Sequence, residues 1–204
     1  VSKEISLFSA SLPVENLSQG LRALANMQAM SLNGVPFLRF TKVGEWEFGP
    51  ENVPVEDGEI WAVNPQSFYI GVIGWQGGQV VGESMFPIHS PQRVNPDTLT
   101  PINTGKPGDG WVEQITVSLK NIEDGTEVLF KTSSRGGKKA CGLLANAMVA
   151  QIESNPAFPV PLVELQRDSY VHKKYGKILE PKFHIVGWAD MEGRPEKKRK
   201  QQLV

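Results

Sequence analysis

Residues 111–155 read WVEQITVSLKNIEDGTEVLFKTSSRGGKKACGLLANAMVAQIESN. Ile115, Val117 and Leu119 alternate with Gln114, Thr116, Ser118 and Lys120, the period-two pattern of a strand with one buried face. Glu123, Asp124 and Gly125 supply a tight turn, and residues 126–133 return, so the stretch predicts a hairpin. A helix is predicted to follow at once, opened by Gly136-Gly137 and closed by Asn155-Pro156. Ala140, Leu143, Leu144, Ala147, Met148 and Ile152 are read as its apolar stripe.

On the C-terminal side two further strands are expected, at about 160–168 and 178–188, separated by the basic loop DSYVHKKYGK. On the N-terminal side, residues 76–110 are too rich in proline and glycine for a helix or a central strand, and they read as a long excursion. Val80, Val81, Met85 and Phe86 within it nevertheless want cover. Before it, EIWAVNPQSFYIGVIGW (59–75) is β-branched and aromatic, with Pro65 dividing it into two strands. VPFLRFTKVGEWEFGP (35–50) predicts a hairpin turning at Val43-Gly44, a paired ribbon on the outside of a barrel. Residues 12–30 space Leu17, Leu21, Leu24 and Met27 as a helix, with Pro13 near its start.

Read from residue 67, the order is strand, long loop, strand, tight turn, strand, helix, strand, basic loop, strand. That is the element order of an OB-fold, in which a helix sits between the third and fourth strands of a Greek-key barrel. The expectation is therefore a β-rich α+β fold: an OB-fold-like Greek-key barrel with an N-terminal helix and hairpin and one helix between barrel strands 3 and 4. An α+β sandwich is the alternative. One OB-like domain is expected over 1–193, with 194–204 a basic flexible tail.

Composition sets the outer limits. The chain has 204 residues, 40% of them hydrophobic and 21% charged, the proportions of an ordinary globular protein. Cys141 stands alone, so no intrachain disulfide forms, and the three histidines at 89, 172 and 184 fit no zinc spacing. No metal or other cofactor is expected. No apolar run approaches the ~20 residues that cross a bilayer, and the N-terminal residues do not read as a secretory leader. A cytoplasmic location is expected.

The net charge of −1 conceals a segregation. Residues 1–130 carry 7 Lys+Arg against 15 Asp+Glu, a balance of −8, whereas 131–204 carry 14 against 7, a balance of +7. Such polarity suits attraction of a polyanion to one surface, or simply two solvated faces.

Two basic groups have the chemistry to hold nucleic acid. Tyr170, His172, Lys173, Lys174, Tyr175 and Lys177 combine mobile cations for phosphates with flat rings for unpaired bases, each stacked base contributing about 1–3 kcal/mol. Lys131, Arg135, Lys138 and Lys139 straddle the predicted helix start, where free N–H groups and the positive end of the dipole favour an anion. The Gly-rich step is no Walker A loop, because Ala140 follows the lysines in place of Ser or Thr. Trp75 and Trp111 bracket the long loop and are candidates to present an indole to a groove, or else to anchor the core. No nucleophile, acid–base pair or metal cluster assembles, so no enzymatic activity is expected: Cys141 reads as a small buried hydrophobe and His184 as a sheet residue.

The strand order, the GlyGlyLysLys helix start and SYVHKKYGKILEPKF together make the chain resemble a group of small phage-encoded single-stranded DNA-binding proteins with an OB-fold, over most of residues 35–193. The resemblance implies coating of exposed single-stranded DNA during phage replication or recombination in the host cytoplasm. Lys173, Lys174 and Lys177 would grip phosphates, Tyr170 and Tyr175 would stack, and the helix-start cluster would extend the track. Single-stranded DNA is then the expected partner, together with replication or recombination proteins and further copies of the chain. The basic ending PEKKRKQQLV departs from the acidic tail of many such proteins. A virion structural or assembly role, with basic loops meeting an acidic neighbour, is the alternative.

Overall fold

A computed structural model describes residues 34–103, 105–174 and 176–196. The helix expected over 12–30, Tyr175 and residues 197–204 of the tail lie outside them. The chain divides into two compact units, residues 1–35 and 36–204, and every described strand and helix belongs to the second.

The described residues are strand-rich, with a single α-helix. In chain order they form β1 (Phe37–Phe40), β2 (Trp46–Phe48), β3 (Val53–Pro54), β4 (Ile60–Val63), β5 (Tyr69–Gln76), β6 (Gln79–Pro87), β7 (Gly110–Asn121), β8 (Glu127–Thr132), α1 (Arg135–Ser154), β9 (Val160–His172) and β10 (Gly176–Ala189). All ten strands belong to one open mixed sheet, ordered β10-β9-β4-β7-β8-β1-β2-β3, with β5 lying beside β7 and β6 beside β5. The β1–β8 pair is parallel and the other pairs are antiparallel.

The expected β7–β8 hairpin is present, registered Val117 opposite Phe130 and Leu119 opposite Val128. β4 and β5 are the two halves of the segment broken at Pro65: Asn64 caps a 3-10 turn over Pro65–Ser67, and both halves pair with β7. Two-fold alternation places Trp61, Val63, Val117, Leu119, Val128, Phe130 and Val163 on one face, where they form the core with Leu38 and Trp46.

Three expectations need correction. The excursion over 76–110 contains a nine-residue strand, β6, joined to β5 by Gly77-Gly78. Both glycines have positive φ (60° and 81°), the requirement of a type I′ turn, whose twist matches that of the flanking strands. The β1–β2 hairpin turns at Gly44 but is no outer ribbon, for Leu38 and Trp46 are buried. The Trp46 ring lies 5.7 Å from that of Phe183 on β10, and its Nε1 donates to the carbonyl of Gln166 on β9 at 2.8 Å. The sheet therefore curls until β2 meets β9 and β10 over a shared interior.

The helix also rotates from its expected setting. Gly137, Ala140, Cys141, Leu144 and Met148 are buried, whereas Leu143 and Ile152 are exposed. Gly137 explains this choice of face. A β carbon there would lie 2.0 Å from Thr132 Oγ1, so the first turn packs against the end of β8 only because that side chain is missing. Ser134 caps the helix by accepting from the Gly137 N–H at 3.0 Å.

Candidate nucleic-acid interface

The DSYVHKKYGK segment is mostly strand: β9 runs to His172 and β10 begins at Gly176, so the expected basic loop shrinks to the tip of a long two-stranded ribbon. Tyr170 pairs with Ile178 and His172 with Gly176 in register, and His172 Nδ1 accepts from the Lys174 N–H at 3.1 Å. Lys173, Lys174 and Lys177 are exposed around the tip, Tyr170 is exposed on its flank, and Val171 is 83% exposed.

The second basic group meets this ribbon at one point. Lys139 Nζ donates to Glu180 Oε2 at 2.6 Å, and Glu180 is paired in register with Asp168, two residues before Tyr170. That hydrogen bond, the charge of the same carboxylate and weaker fields from Asp168 and Tyr170 hold the Lys139 ammonium above the usual lysine range. The helix start and the ribbon thus share one side of the sheet, and Lys139 is the hinge between them. Arg135 is exposed in the first helical turn. No acid occupies that turn to offset the dipole.

Lys138 reaches a different strand, donating to Glu113 Oε2 on β7 at 2.7 Å. This hydrogen bond and the lysine charge keep the exposed Glu113 carboxyl below the usual range. Two residues away on the same face, Trp111 lies against Gly74 and Gly82, and its Nε1 donates to the Thr100 carbonyl at 2.9 Å. The half-buried indole is thereby committed to holding the loop at Thr100.

Lys131 and Trp75 stand apart. Along β8, Thr132 faces α1, so Lys131 projects to the opposite face, where Nζ pairs with Glu83 Oε1 at 2.7 Å and sits 5.8 Å from the centre of the Phe37 ring. Glu83 also accepts from Gln114, which is buried. Trp75, half-buried, follows Gly74 on β5 and is therefore on that opposite face from Trp111.

Lys139 and Tyr170 are brought together along the ribbon at Glu180 and Asp168, Lys138 stands apart from them at Glu113 on β7, and Lys131 and Trp75 lie on the opposite face. The acids that hold three of the lysines, Glu83, Glu113 and Glu180, are invisible to sequence reasoning, since each is supplied by a distant strand whose register decides the pairing. Among the described residues no group of His, Cys, Asp and Glu has the arrangement to hold a metal ion, and no helix is long and apolar enough to cross a membrane. Comparison with protein-family models, with curated proteins and with solved structures finds no match.

Proposed function

We propose that the chain is a non-enzymatic, sequence-tolerant single-stranded DNA-binding protein of OB-like architecture, acting in phage DNA replication or recombination. The observation that carries this reading is the meeting of the two basic segments at Lys139, Glu180 and Tyr170. A phosphate backbone passing the first turn of α1 would run on toward Tyr170 and the lysines of the ribbon tip. Phosphates would then exchange with the carboxylates now on Lys138 and Lys139, and Tyr170 would offer a ring to an unstacked base. The order β5, β7, β8, α1, β9, β10 supports the OB-like assignment, with β6 added at the edge of β5.

Fluorescence anisotropy with labelled oligo-dT and duplex across a salt series tests the reading. Single strands should bind more tightly than duplex, and log K should fall with log salt by about 0.7 per phosphate contacted. Lys173→Ala with Lys177→Ala should lower the affinity several-fold, whereas Lys131→Ala, on the other face, should leave it within about twofold. Absence of single-strand binding at low salt overturns the proposal.

A further inference from the structure

The outward face of α1 is unlike a solvated helix surface. Its buried stripe runs through Gly137, Ala140, Cys141, Leu144 and Met148. On the opposite side, at 100° per residue, lie Lys139, Gly142, Asn146, Ala150 and Glu153, with Val149 on one flank and Leu143 on the other. No charged side chain occurs between Lys139 and Glu153. Leu143 is 62% exposed and Val149 54%. Exposed apolar residues at helical spacing with no charge among them mark a contact surface.

The order of these residues states what the contact is. Around Asn146 the face is self-complementary under reversal: Lys139 and Glu153 each lie seven residues away, Gly142 and Ala150 four, Leu143 and Val149 three. The geometry points to a second copy of this chain as the occupant, its α1 packed antiparallel on the first across a two-fold axis beside Asn146. In that arrangement Leu143 lies over Ala150 of the second copy and Val149 over its Gly142, large against small, as close helix packing requires. Asn146 meets its own counterpart, and the two amides satisfy each other's donors and acceptors. Lys139 reaches Glu153 of the second copy about 10 Å from the axis at each end, seven residues at the helical rise. The Lys139 side chain is 56% exposed and has two N–H groups beyond the one given to Glu180, so it serves both carboxylates. Residue i meets j and j meets i, the signature of an isologous interface.

Sedimentation equilibrium without nucleic acid tests the pairing. A face this small is below the standard interface of about 1,600 Å², so a monomer–dimer equilibrium in the micromolar range is expected. Leu143→Asp and Glu153→Lys, both at exposed positions, should weaken dimerisation by about tenfold or more, with unchanged circular dichroism. Asn146→Cys should form an intermolecular disulfide on mild oxidation, since it lies on the axis, whereas the buried Cys141 of the unsubstituted chain should not. A wild-type monomer at all concentrations, a dimer indifferent to both charge substitutions, or a dimer in which Asn146→Cys fails to cross-link overturns the inference.

Discussion

Trp111 and Gly82 touch across the sheet: a β carbon on Gly82 would sit 2.6 Å from the indole Cη2. Gly74, directly opposite both in the ladder, makes the same allowance, and Ile102 from the loop covers the ring there. Gly82→Ala should therefore destabilise the protein by about 2 kcal/mol through overpacking, and Trp111→Ala by about 3 kcal/mol through lost burial. The double variant should cost less than the sum, because the added methyl enters the space the indole vacates. Urea denaturation of the three variants measures the coupling.

Cys141 is buried beneath the helix, and burial pushes its thiol up to about 12. At neutral pH it is a protonated apolar group. An aromatic disulfide reagent should label it at the rate of unfolding and not of simple encounter, and labelling should become immediate in denaturant.

The two lysines of the helix start should respond at opposite ends of the pH scale. Glu113 is lowered by its hydrogen bond with Lys138 and by the lysine charge, so its contribution is complete above the ordinary carboxylate range and is lost as pH falls through the depressed native value. Lys139 is raised by Glu180, so its contribution is complete below the ordinary lysine value of 10.5 and is lost as pH climbs through the elevated native value. Melting temperatures of Glu113→Gln should converge on the wild type only in acid, and those of Lys139→Met only in strong alkali.

Trp46→Phe retains a ring but removes the donor to the Gln166 carbonyl. The loss of that hydrogen bond should cost about 1–3 kcal/mol, and Trp46→Ala about 3–5 kcal/mol, since the indole also packs on Phe40, Phe130 and Phe183. Equilibrium unfolding followed by far-ultraviolet circular dichroism separates the two.

Local periodicity makes β7, β8 and α1 legible, because each is long enough for its pattern to exclude the other period. β6 is hidden by the proline-rich text after it, although Gly77-Gly78 between Gln76 and Gln79 carries the signal of a two-residue turn. The helix face misleads because Leu143 and Ile152 are more apolar than Gly137 and Cys141. What decides between those stripes is the approach of Thr132, a contact that hydrophobicity does not encode. At the candidate interface, residue types are legible and partners are not. Lys131 and Lys138 read alike in the chain, yet one turns to Glu83 and the other to Glu113, on opposite faces of the sheet.

The hydrogen bond between Trp46 and Gln166 spans 120 residues. At ribosomal rates of about 5–20 residues per second, the indole is made roughly ten seconds before its acceptor. For the greater part of that interval β1 also lacks its parallel neighbour β8, and Leu38 and Trp46 lack the full interior they enter in the finished fold. Nascent chains should therefore depend on a holding chaperone for this first hairpin, and late emergence of the β9–β10 ribbon should release it.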